Sequence, residues 1–172
     1  MIFDSRPCEL GEGPLWHPIR EQLFWFDILN RTLHSQTQSW SFSGYVSAAG
    51  WISRDELLLA SETGLIRFDL ATGTEQAVAE AGAADTRSND GRADRQGGFW
   101  FGTMGKTAHK GAGAIWRWHR GELRQLFKGI TIPNAICFTP DGSAAHFADT
   151  ATGRVMKVAL DGQGWPQGEP EV

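Results

Sequence analysis

Four times along the chain a short apolar run follows a polar turn, and the four copies can be laid on one another. The runs are residues 23–28, 57–61, 99–104 and 145–150, each preceded by a turn at 18–21, 53–56, 94–97 and 139–143. Runs this short, bounded by Gly, Pro, Asp or Asn, read as strands rather than helices. A further strand precedes each turn. Another follows at 65–69, 114–118 and 154–158, where apolar and polar residues alternate as on a half-buried sheet. The run starts at Leu23, Leu57, Phe99 and Ala145 lie 34, 42 and 46 residues apart, close to the ~40–50 residues of a four-stranded propeller blade. The expectation is an all-β chain folded as a β-propeller. A β-sandwich is the alternative, but it does not require the same strand and turn order to recur.

At this spacing 172 residues hold about four blades, and after Leu160 only a turn-rich tail remains. A four-bladed ring and an incomplete part of a larger ring both fit that count. With 41% apolar and 21% charged residues, the chain has material for one packed domain over 1–172. Its 21 glycines, eight Trp and ten Phe against one Tyr suit frequent turns between aromatic strands. A net charge of −4 with no basic block argues against nucleic acid as a partner. No apolar run approaches the ~18 residues of a membrane span. The start, Met1-Ile2-Phe3-Asp4-Ser5, lacks a signal peptide's basic and apolar segments, so a cytoplasmic location is expected. Cys8 and Cys137 lack paired spacing and are read as reduced thiols.

The innermost strands of a propeller line a central channel, so equivalent positions in distant repeats converge there. The heads of the first strands carry Glu12, Asn89 and Asn134, while the second unit offers only the stretch 45–50. Carboxylate and amide oxygens meeting in one place suit a hard divalent cation. The competing reading is that Asn and Asp next to Gly merely cap turns. Glu12 between two glycines is harder to explain that way. Asp27, Asp69, Asp141 and Asp161 are read as turn residues; Asp149 is a weaker candidate for the channel mouth. His17, His34, His109, His119 and His146 show no metal-ligand spacing.

At these same segments the sequence resembles the senescence marker protein, regucalcin and gluconolactonase family. The matching text is Leu10-Gly11-Glu12-Gly13-Pro14-Leu15-Trp16 with residues 23–28, then 87–94 with Phe101-Gly102-Thr103-Met104, then Ile132-Pro133-Asn134-Ala135. The resemblance implies a six-bladed propeller that binds a divalent metal and hydrolyses sugar lactones, of which 1–172 would be the N-terminal part. It implies Glu12 and Asn134 as metal ligands, and Arg87 and Asn89 as contacts to the sugar. It also implies a third ligand, an aspartate acting as general acid/base, in a later blade that this chain does not reach. A substrate-contacting glutamate of some members falls at Thr107, so that contact is absent or replaced here.

The chemistry suits those residue types. Opening a lactone needs water to add to an ester carbonyl through an oxyanion, work that a divalent cation and a carboxylate can share without a serine or cysteine nucleophile. The expected function is a divalent-metal-dependent hydrolase opening an aldonolactone such as glucono-, xylono- or arabinono-lactone. The alternative is a non-catalytic calcium- or sugar-binding propeller. Nothing in the residues separates Ca, Mg, Mn, Zn and Fe, identifies the general acid/base, or fixes the oligomeric state.

Overall fold

The computed structural model describes residues 2–172 and contains fifteen strands among them, with no helix. They form four antiparallel meanders taken in chain order. The first comprises β1 (Gly11–His17), β2 (Gln22–Asp27), β3 (Thr32–Ser35) and β4 (Ser39–Ser41). The second is β5 (Val46–Trp51), β6 (Glu56–Ser61), β7 (Gly64–Asp69) and β8 (Glu75–Glu80). The third is β9 (Thr86–Ala93), β10 (Phe99–Gly105), β11 (Gly113–His119) and β12 (Glu122–Ile130). The fourth has β13 (Pro133–Phe138), β14 (Ala144–Asp149) and β15 (Arg154–Ala159), with a bridge from Lys157 to Glu171 outside β15. This is a four-bladed propeller arrangement. The first strands β1, β5, β9 and β13 pack side by side in that order, and no comparable packing joins the fourth sheet to the first among the described residues. The blades therefore form an open arc.

Three apolar seams hold neighbouring blades together. Phe24, Phe26 and Leu33 of the first sheet meet Leu57, Leu59 and Phe68 of the second. Leu58, Ala60 and Leu65 on the second sheet's other face meet Phe99 and Phe101 of the third. Trp100 and Ile115 then face Ile136, Ala145, Phe147 and Val158 of the fourth. Successive residues of a strand point to opposite faces. β6 and β10 are covered on both sides, so residues 57–60 and 99–101 run apolar without interruption, whereas β14 sets buried Phe147 beside half-exposed His146.

The turns use the aspartates expected of them. Asp69, Asp141 and Asp161 each accept backbone N–H groups two to four residues onward. Asp27 and Asp149 hold equivalent places at the ends of β2 and β14, where they clamp the segment entering the same blade. Asp27 accepts the amides of Glu9 and Leu10, and Asp149 those of Thr131 and Ile132. Asp149 is thus buried at a blade entrance and spent on backbone, not turned to the channel.

Candidate functional site

The four candidate residues stand near the starts of inner strands, at the end of the arc where β2, β6, β10 and β14 finish. A β-bulge shapes each such start. In β1 the pairing with β2 slips between Glu12 and Leu15; in β13 it slips between Asn134 and Cys137; in β9 it slips where Phe101 and Thr103 of β10 face Gly91 and Ser88. A bulge bends its strand and re-aims a side chain out of the regular alternation. In β1 and β13 the residue after the candidate ligand is left-handed, Gly13 and Ala135 both at φ 57°. By pairing register Ser88, opposite Thr103, corresponds to Gly11 and Pro133, opposite Asp27 and Asp149, so Asn89 holds in the third blade the place that Glu12 and Asn134 hold in the first and fourth.

Glu12 and Asn134 line one cavity of about 530 Å³, walled also by Ala49 to Trp51 of β5, Asp90 to Ala93 of β9 and Cys137. Inner strands of all four blades therefore contribute to it. Glu12 is half-buried and makes no hydrogen bond or ion pair among the described residues, leaving its carboxylate oxygens available to a ligand. Asp90, the neighbouring carboxylate, is occupied: it accepts the amides of Gly91 at 2.8 Å and Ile136 at 2.7 Å.

Arg87 and Asn89 are buried, at 7% and 6% exposure. Arg87 donates through Nη1 to the Ser88 carbonyl at 2.8 Å and to Asn89 Oδ1 at 2.9 Å. Burial pulls its guanidinium below the ordinary arginine value, opposed by the nearby Tyr45 and Glu12. Asn89 Nδ2 donates to the Pro133 carbonyl at 2.9 Å and to Asn134 Oδ1 at 3.3 Å, and Asn134 Nδ2 donates to Thr150 Oγ1 at 3.0 Å. The structure thus strings Arg87, Asn89 and Asn134 into one hydrogen-bonded chain across the third and fourth blades. Thr107, in the β10–β11 connection, pairs instead with His109 at 3.3 Å.

The residues fit a hard cation. Glu12 offers unengaged carboxylate oxygens, and Asn134 Oδ1 accepts one hydrogen bond, leaving a lone pair. Such ions take six or more oxygens, the remainder commonly from water and substrate.

A second meeting of metal-ligating side chains was not visible in the sequence, since its members come from the entry to β1 and from β2 and β3. The ligand atoms of Cys8, Asp27 and His34 lie within 4.8 Å of one another. Asp27 is already saturated, taking the amides of Glu9, Leu10 and Asn30 and the Asn30 side chain. Burial and the Arg6 guanidinium both push the His34 imidazole towards its neutral form. The same positive charge opposes a cation there. Both cysteines are free thiols.

Residues 10–172 match the family described as SMP-30/Gluconolactonase/LRE-like region. A protein of Rhizobium meliloti whose name assigns it provisionally as a sugar lactone lactonase is 39% identical over 173 residues, covering 94% of this chain and 58% of that protein. A pentonolactonase of Haloferax volcanii is 32% identical over 161 residues, covering 90% of this chain and 54% of that enzyme. The crystal structure of a calcium-binding protein, regucalcin, from Agrobacterium tumefaciens superposes with a TM-score of 0.95 at 41% identity, covering 98% of this chain and 60% of that one. The chain spans less than two thirds of the length of these relatives.

Proposed function

The chain belongs to the SMP-30/gluconolactonase/LRE family, and from that premise we propose that it serves a divalent-metal-dependent hydrolase that opens a sugar lactone to its aldonic acid. One observation carries the reading: Glu12 and Asn134, from the first and fourth blades, line the same cavity with oxygens able to face an ion. Lactonase names among the relatives support the reaction class.

In this reading Glu12 and Asn134 hold the cation. When bound, a divalent cation supplies polarisation of the lactone carbonyl and a lowered pKa for water. Arg87 keeps its Nε and Nη2 donors for sugar hydroxyls or the ring oxygen, because only Nη1 is spent on protein. Burial of that guanidinium strengthens each contact it makes by excluding competing water. Asn89, by family resemblance a sugar contact, is hydrogen-bonded to protein at both ends of its amide. A second reading, a calcium-binding protein without turnover, draws on the regucalcin likeness.

The test is lactone opening followed by pH-stat on glucono-, xylono- and arabinono-lactone, with and without chelator. Chelator-sensitive turnover supports the hydrolase; cation binding without turnover supports the second reading. Glu12→Ala and Asn134→Ala should each lower chelator-sensitive turnover at least about 100-fold with circular dichroism unchanged. Wild-type rates in either variant would remove that residue from the site.

A further inference from the structure

The side chain of Asn134 has an oxygen at one end of its amide, which a cation accepts, and an NH2 at the other, which a cation rejects. The two ends are nearly the same size, so packing alone does not choose between them. Thr150 does not choose either, because a hydroxyl both donates and accepts and would serve either orientation. Asn89 does choose. Its own orientation is fixed from two sides: the Arg87 guanidinium, which can only donate, meets Oδ1, and the Pro133 carbonyl, which can only accept, meets Nδ2. Reversing Asn89 would set NH2 against guanidinium and oxygen against carbonyl in a buried setting, where unsatisfied polar groups are costly. Nδ2 of Asn89 therefore points to Asn134 as a donor, and only the Asn134 oxygen can receive it.

We infer that Asn89 is a positioning residue: through the one-way hydrogen-bond polarity that starts at Arg87, it holds Asn134 with its oxygen, and not its NH2, on offer to a ligand. The orientation stands on these hydrogen bonds alone. Its consequence for cation binding rests on the function proposed above.

The discriminating variant is Asn89→Asp, which keeps the side chain's size and still accepts from Arg87 but cannot donate to Asn134. Asn134 should then reverse, giving its NH2 to the new carboxylate and its oxygen to the Thr150 hydroxyl. In metal-free protein, nuclear Overhauser contacts from the Asn134 Nδ2 protons to the Thr150 methyl group should be present in the wild type and lost in Asn89→Asp. Calorimetric titration with Mn²⁺ should show binding weakened about 10- to 100-fold, although the added negative charge alone would tighten it. Asn89→Ala should weaken Mn²⁺ binding as well. Retention of the Thr150 contacts in Asn89→Asp, or wild-type Mn²⁺ affinity in both variants, would overturn the inference. So would a raised KM at unchanged Mn²⁺ affinity, which would make Asn89 a sugar contact. Loss of those contacts in a protein whose wild type binds no Mn²⁺ would overturn the metal reading and leave the orienting role standing.

Discussion

At the residue scale, the candidate site depends on two left-handed positions that look nothing alike in the sequence. Gly13 follows Glu12, and a Cβ there would stand 2.2 Å from the Ser47 carbonyl oxygen and 2.9 Å from the Phe26 ring. Ala135 follows Asn134 at the same φ of 57° but carries its Cβ already. The two positions should therefore respond oppositely to exchange. Gly13→Ala adds left-handed strain of ~1–2 kcal/mol to a backbone collision, and should cost about 3 kcal/mol or more of stability in urea unfolding. Ala135→Gly relieves the strain but adds unfolded-chain entropy of ~0.5–1 kcal/mol, so it should stay within about 1 kcal/mol of wild type. A large loss in Ala135→Gly would mean that the alanine methyl, not the backbone twist, holds the bulge. Glu12 was legible because a carboxylate between two glycines serves no helix or strand. The twist at Ala135 was not, since alanine in sequence gives no sign of positive φ.

At the scale of elements, the second strands were the most legible because β6 and β10 are buried on both faces, which makes residues 57–60 and 99–101 apolar at successive positions. The outermost strands escaped: β8 reads Glu75-Gln76-Ala77-Val78-Ala79-Glu80 and is mostly exposed, so neither burial nor alternation marks it. Charged, exposed edges of this kind also resist pairing with another chain. Within the third blade lies an ion pair that no sequence spacing announces. Arg117 of β11 meets Asp94 of the β9–β10 turn at 2.7 Å, both side chains fully buried. Arg117 also donates to the Gln163 carbonyl at 2.8 Å and lies 4.2 Å from the Trp165 ring centre. Asp94 further accepts the amides of Gln96 and Gly98 and the Trp100 indole N–H. Asp94→Ala strands a buried guanidinium and three N–H donors, and should cost about 3–5 kcal/mol. Arg117→Met leaves Asp94 with those three donors and should cost distinctly less. Thermal melts of the two variants check the order; equal losses would show that the pair, not the Asp94 donors, dominates.

At the scale of the whole molecule, folding sets many carboxylates into turns and blade entrances whose donors favour the charged form. Asp4 and Asp141 are held down to about 2 by hydrogen bonds from Arg6 and from Thr139 and Ser143, and Glu62, Asp69, Glu122 and Asp161 are lowered too. Asp27 joins them: burial alone would raise it, but the Asn30 side chain and the amides of Leu10, Glu9 and Asn30 more than offset that. A carboxylate lowered on folding contributes stability that is complete above its unfolded value, near ~4, and is lost as pH falls through the folded value. These carboxylates should therefore leave the melting temperature unchanged above about pH 5 and make it fall steadily from about pH 4 to pH 2. Asp27 is the member with a bearing on the site, because it clamps the amides of Glu9 and Leu10 just ahead of Glu12. In Asp27→Asn the amide cannot accept all of those donors at once, so stability at pH 7 should drop by ~1–3 kcal/mol. The variant's melting temperature should also fall less steeply with acid than the wild type's, because one titrating group has gone. Melts across pH 2–8 measure both effects, and a parallel decline in variant and wild type would show that Asp27 takes no part in acid unfolding.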